Sequence, residues 1–252
     1  MHQLRGLEDS LVLLIATADH NAGRWQLAPP WLECDSLLSL YRHCGQPPEH
    51  RATVPALIDP GASSDDKPEL LGNESAQLVE LLNTWPAAEG SPDLAPPHLE
   101  KEINRWQELL QTAVNDGVYR CGFARNQQAY EKASGELFNA LAFVEKQLTN
   151  HGPWLCGEHL TIADVRLFPT LIRWEMVYAP LFGCSLEPLW AFPRLWHWRQ
   201  EFFLLPGVSQ TCDANAWRND YFGALFPLHP SNIVPAGPDL SRLVNGVPPK
   251  IA

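Results

Sequence analysis

A small α+β domain followed by an all-helical domain is the fold class that this sequence predicts. Three observations carry the prediction. Short runs of strand character lie at Leu11–Thr17, Thr53–Asp59 and Glu69–Gly72. Residues 85–97 (WPAAEGSPDLAPP) hold four prolines and a glycine and read as a linker. Beyond them the apolar residues recur at helical spacing.

Each element has a local reason. His2 to Ser10 reads as the end of a helix with a turn at Gly6. Leu11–Thr17 is continuously apolar at the start, which predicts a buried strand. Residues 18–50 look loop-rich, with Trp25, Pro29, Pro30 and Trp31, and carry a short helix near Ser36–His43. Thr53–Asp59 is the second strand, residues 61–68 an acidic hairpin connection, and Glu69–Gly72 a short third strand. From Glu74 to Asn83 a helix puts Leu78, Leu81 and Leu82 on one face. Ile103, Trp106, Leu109, Leu110, Ala113 and Val114 form one helical stripe, and Tyr130, Leu137, Leu141, Val144 and Leu148 the next, weakened by Gly135. Leu160-Thr161-Ile162-Ala163-Asp164-Val165 is a capping box with a hydrophobic staple and opens a helix expected to run to Tyr178. A further helix spans 193–205 and ends at Pro206-Gly207. The domains are therefore 1–84 and 99–226, joined by a linker at 85–98 and followed by an extended tail at 227–252.

Composition narrows the function. With 252 residues and 45% hydrophobic content, the chain builds a sizeable core. A net charge of −11 argues against nucleic acid and anionic membrane as partners. The six cysteines are dispersed without a CxxC, which points to reduced thiols and a cytoplasmic protein. The longest early apolar run, residues 11–16, is too short to span a membrane. Ten tryptophans suggest an aromatic-lined pocket.

Two strings suggest a ligand. Arg51-Ala52-Thr53-Val54-Pro55 runs a strand into a proline, where Val54 can offer its N–H and C=O to an extended ligand backbone. Gly72-Asn73-Glu74-Ser75 opens a helix whose N–H groups favour a carboxylate, with Glu74 available for an ammonium. Together they describe a socket for a small peptide with a free amino-acid end, and glutathione has those groups. The plain alternative is an edge strand at Pro55 and an ordinary helix cap at Asn73 or Ser75.

Further strings add specificity: Asn115-Asp116-Gly117-Val118-Tyr119 with Gly122-Phe123-Ala124, Leu160 through Phe168, Ile172-Arg173-Trp174-Glu175-Met176-Val177-Tyr178, and Ile233-Val234-Pro235-Ala236-Gly237-Pro238. With the two ligand strings, they resemble the glutathione transferase family along nearly the whole chain, and in particular its xi class, the glutathionyl-hydroquinone reductases. The resemblance implies a thioredoxin-like N-terminal domain and the all-α C-terminal domain of glutathione transferases. It implies that glutathione, as co-substrate, is held by Val54, Glu74 and Ser75, with Trp25 and Arg51 nearby. Tyr119 and Tyr178 match tyrosines that line an aromatic pocket for quinone-type small molecules and act in catalysis. The alternative for each is a core tyrosine. A homodimer is implied, and no metal.

The family's nucleophile is a cysteine in a Cys-Pro string upstream of a segment like Leu4–Asp9, and no Cys-Pro occurs here. The expectation is an N-terminally truncated chain that lacks the first strand, with Leu11–Thr17 pairing directly with Thr53–Asp59 or fraying, and with impaired activity. Cys34 is a poor substitute, Cys121 beside Tyr119 reads as a buried inert thiol, and Cys156 with His151 and His159 makes only a weak metal grouping. By resemblance, a thiolate attacks a glutathionyl-aromatic thioether and a second glutathione resolves the mixed disulfide. The competing readings are a non-catalytic transferase-like binding or dimerisation module, and a transferase that activates glutathione by Ser or Tyr.

Overall fold

The computed structural model describes residues 1–19, 24–61, 66–224, 230–231 and 233–246. The N-terminal part opens with helix α1 (His2–Arg5), closed by Gly6 in the left-handed conformation at φ 59°. Strands β1 (Ala16–Asp19), β2 (Arg24–Trp31) and β3 (Cys34–Ser36) form an antiparallel sheet in that order. Helix α2 (Leu37–His43) follows directly, its first turn fixed by a reciprocal Ser36–Ser39 capping box. Strands β4 (Leu57–Asp59) and β5 (Glu69–Gly72) make a separate antiparallel pair. Helix α3 (Ser75–Thr84) then buries Leu78.

Several expectations change here. The apolar run at residues 11–15 is neither a strand nor buried: Val12 is 84% exposed and Ile15 70%. A continuous apolar run signals a buried strand only where the fold supplies neighbours on both sides, and β1 has one partner, β2. That partner lies in 18–50, the region expected to be loops, and β1 does not pair with 53–59. The expected strand Thr53–Asp59 keeps regular pairing only from Leu57. The prolines at 29 and 30, which concealed β2, sit at exposed positions beside a register shift in its pairing with β3.

The helical part comprises α4 (Glu100–Leu109), a π-helical turn at Leu110–Asn115, α5 (Asp116–Gly122), α6 (Gln127–His151), α7 (Ile162–Ile172), a second π turn at Trp174–Tyr178, α8 (Ala179–Phe182), α9 (Pro193–Phe203) and α10 (Ala214–Ala224). The helix expected to run unbroken to Tyr178 thus ends at Ile172. On α6, Leu137, Leu141, Val144 and Leu148 are fully buried at helical spacing, as the stripe requires. The α7 box forms as its sequence predicts: Asp164 accepts from the Thr161 N–H, the Thr161 hydroxyl, the Leu155 N–H and the Trp198 indole. The start of α9 is capped from α6, where Glu145 accepts the N–H groups of Arg194 and Leu195 at 2.9 and 2.7 Å.

The tail is not wholly extended. Leu240–Asn245 form α11, whose Leu243 and Val244 are buried and whose carbonyl ends are held by Arg199 and Gln200 of α9. The two parts are stitched at the linker. Arg5 donates to the carbonyls of Pro92 and Trp85, and Asn83 bonds Asp93 and the Leu94 N–H. Helix α10 of the helical part also packs on β1.

Candidate active site

The first half of the site is a pair of loops. The Val54–Pro55 peptide is cis, and its neighbour Thr53 is tied twice. Its carbonyl accepts the Tyr41 hydroxyl at 2.8 Å, and its Oγ1 accepts Asn73 Nδ2 at 3.1 Å. Tyr41 is fully buried, so the loop is pinned to the core on one side and to the β5–α3 turn on the other. The Asn73 bond carries Glu74 and Ser75 to the same edge as Val54. Val54 is 43% exposed, and Glu74, Ser75 and Arg51 are exposed with no side-chain partner among the described residues. Glu74 is the N-cap of α3, and no side chain caps that terminus, so its first N–H groups face outward unpaired. Trp25 stands on β2 opposite Ala18, half-buried on the small core that also takes Ala52 and Ala56.

The second half is aromatic. Tyr119 on α5 and Tyr178 at the end of the second π turn meet edge to face at 5.9 Å. A third tyrosine, Tyr221 of α10, joins them: its hydroxyl lies 2.6 Å from that of Tyr119 and 3.2 Å from that of Tyr178. Phe182 and Phe123 pack beside Tyr119. Gly122 makes this possible, because a Cβ there would meet the Phe182 ring at 2.5 Å. Tyr119 follows the first π turn and Tyr178 ends the second, and the first is pinned to α7 by Asn115, which accepts from Thr170 at 2.8 Å and donates to the Arg166 carbonyl. Tyr221 gave no signal in the sequence, since only the docking of α10 brings it to the other two.

Burial drives the Tyr178 hydroxyl well above the ordinary phenol range, reinforced by Tyr221 and Tyr119 and opposed by Arg173. Burial, then Tyr221, does the same to Tyr119. Both are neutral proton donors at physiological pH.

Two cysteines, Cys34 and Cys44, belong to the small core that also takes Ala52 and Ala56. Cys34 belongs to β3 and is buried. Burial pushes Cys156 up to about 12 and raises Cys44 and Cys212. Cys121 is held down, chiefly by a hydrogen bond with Cys184, which is raised by the same contact, and both are buried in the helical core. Cys156 accepts from the Thr161 hydroxyl at 3.6 Å, and no group of three or more His, Cys, Asp or Glu is placed for a metal among the described residues.

Residues 127–201 match the C-terminal domain family of glutathione S-transferases. The chain is 31% identical to glutathionyl-hydroquinone reductase PcpF of Sphingobium chlorophenolicum over 247 residues, covering 94% of this chain and 77% of that protein. The chain belongs to the xi-class glutathione transferases. It is also 33% identical over 204 residues to glutathionyl-hydroquinone reductase YqjG of Escherichia coli, covering 80% of this chain and 60% of that protein. Among solved structures, glutathione transferase Xi 1 from Trametes versicolor matches with a TM-score of 0.86 at 30% identity, over 94% of this chain and 85% of that one. The glutathione-bound structure of YqjG matches at 0.81 and 28% identity, over 94% and 79%. The xi-class architecture, a thioredoxin-like domain followed by the transferase helical domain, is thus the one this chain adopts. No described helix is long and apolar enough to cross a membrane.

Proposed function

We propose that this xi-class transferase is a reductase of glutathionyl-hydroquinones. The observation that carries the reading is the Asn73–Thr53 hydrogen bond, which brings the Val54 main chain beside Glu74, Ser75 and an uncapped helix start. Glutathione's cysteinyl backbone pairs with Val54, its γ-glutamyl carboxylate meets the α3 N–H groups at Ser75, and its ammonium meets Glu74. Arg51 and Trp25 flank the tripeptide. The aromatic group lies against Tyr119 and Tyr178, with Tyr221 completing the hydroxyl chain.

In the reaction a cysteine thiolate attacks the glutathionyl sulfur. An S–S bond forms, the aromatic C–S bond breaks, and its electron pair passes into the ring, which gains a proton at that carbon. The neutral tyrosines supply that proton as general acids. A second glutathione thiolate then displaces the enzyme thiolate from the mixed disulfide, releasing oxidised glutathione. These 252 residues contain no Cys-Pro string, and the described thiols that shift upward are poor nucleophiles. On this reading the 252-residue polypeptide binds glutathione. Fusing an N-terminal segment that carries Cys-Pro should restore turnover of glutathionyl-hydroquinone to free hydroquinone, followed chromatographically. A folded extended protein that stays inert would sink the proposal.

The second reading is a transferase-like module that binds without chemistry, favoured by the burial of Cys34 in the small core behind the Val54 loop. Persistent glutathione binding with no turnover in the extended protein would select it. Reduced free thiols fit a cytoplasmic setting, and we place the protein there as a two-fold homodimer, to be read by light scattering.

A further inference from the structure

Arg173 closes α7 and immediately precedes the π turn that ends in Tyr178. One π turn separates the two residues, so they share a face. Trp217 and Tyr221 stand four apart on α10 and share the opposing face. The two faces meet: the Arg173 guanidinium lies 5.1 Å over the Trp217 ring, and Tyr221 bonds Tyr178 and Tyr119. The cation is thereby fixed at the edge of the hydroxyl cluster.

Its partners are few. Arg173 takes part in no ion pair among the described residues, and its Nε, like that of Arg199, is buried without a hydrogen-bond partner. Arg199, in the same domain, shows what a structural arginine looks like here. It is fully buried, bonded to Glu175 at 2.6 Å and to the carbonyls of Leu171 and Leu243, and stacked on Trp196. Arg173 has the aromatic stack without the carboxylate. A cation held by a ring, left without a counter-ion in a chain of net charge −11, and set beside neutral hydroxyl donors is a receptor for an anionic oxygen.

We propose that Arg173 recognises the ring oxygen of the aromatic substrate as a phenolate, so that the tyrosine pocket selects acidic phenols over neutral ones. The inference rests on the reading that this pocket takes the aromatic group, and it names the charge state that the pocket prefers. The same field steadies the oxyanion that develops when the ring accepts the C–S electron pair. The groups facing the guanidinium keep their state near neutrality. Tyr119, Tyr178 and the thiol of Cys212 are shifted upward.

The test uses 4-nitrophenol, whose anion and neutral form absorb at different wavelengths, titrated between pH 6 and 8 with the full chain and saturating glutathione. The wild type is expected to bind the anion at least tenfold more tightly, lowering the ionisation pH of the bound probe by about one unit. Arg173→Met and Arg173→Gln should abolish that shift, and Arg173→Lys should retain part of it. Should one neutral variant fail to fold, the other, checked by circular dichroism, still reads the effect. No binding by the folded wild type, an unshifted probe, or a shift surviving in Arg173→Gln would overturn the proposal. Glutathione calorimetry run alongside separates the cases, since loss of glutathione binding with the phenolate preference intact would strike only the function proposed above.

Discussion

A tyrosine hydroxyl donates one proton at a time, so a chain of three linked hydroxyls must have a direction. Tyr221 sits between Tyr119 and Tyr178 at 2.6 and 3.2 Å and decides which neighbour points its proton toward the pocket. Tyr119 is 38% exposed and Tyr178 2%, so in the proposed site Tyr119 presents its hydroxyl to the substrate while Tyr178 offers its ring edge and, with Tyr221, orients that hydroxyl. Replacing Tyr221 by Phe keeps the ring contacts with Tyr178 and Phe182 and removes the bridge. The expected outcome is a fall in kcat of roughly 10- to 100-fold, within the usual range for a general-acid contribution, with glutathione affinity unchanged. Steady-state kinetics of the extended enzyme with calorimetry checks it. At this scale the sequence was legible where function rests on local strings. The Asn73–Thr53 hydrogen bond joins the two strings that hold Val54, Glu74 and Ser75, and their glutathione role is the proposal. Tyr221 and Arg173 were not legible, because their roles arise from two helices meeting and no short string encodes that meeting.

Helix α7 owes its entry angle to Asp164, whose carboxylate serves four donors from Leu155, Thr161 and Trp198. Burial pushes its carboxyl up to about 6, against the pull of those donors. Between the ordinary carboxylate value and about pH 6, the folded state holds a proton that the unfolded chain releases. This contribution to stability is therefore full at the acid end and is lost as pH rises through 6. Asp164→Ala strands buried donors and is expected to cost about 3 kcal/mol at neutral pH. The stability gap between wild type and variant should widen on acidification from pH 6.5 to 4.5, as read by urea unfolding. Gly135 offers the opposite case. It lies inside the 25-residue α6, and a Cβ there meets nothing within 4 Å, so Gly135→Ala is expected to stabilise by about 1 kcal/mol and raise Tm by a few degrees. The helices were readable because a 3.6-residue stripe and a capping box are local facts. The break at Arg173 and strand β2 were not. The first depends on α7 docking against the π turn that ends at Asn115, and the second on a sheet edge that tolerates Pro29 and Pro30.

Across the whole molecule, chemistry requires the loop socket of one domain and the tyrosines of the other to face one cleft. The packing of α10 on β1 brings the two domains into contact, with Arg5 and Asn83 clamping the linker. The two-domain order was visible from the proline-rich break at 85–97. The fate of the apolar run at residues 11–15 was not, since burial depends on neighbours that its own sequence cannot specify. The central claim is that the N-terminal socket holds glutathione through Val54, Glu74 and Ser75, and isothermal calorimetry on the purified chain tests it most directly. The account predicts a saturable heat with one glutathione per chain. It also predicts weakening of roughly tenfold or more in Glu74→Gln, the loss of one charge-assisted hydrogen bond of about 1.5–3 kcal/mol. A folded wild type that gives no heat, or a Glu74→Gln variant that binds as tightly as wild type, would contradict it.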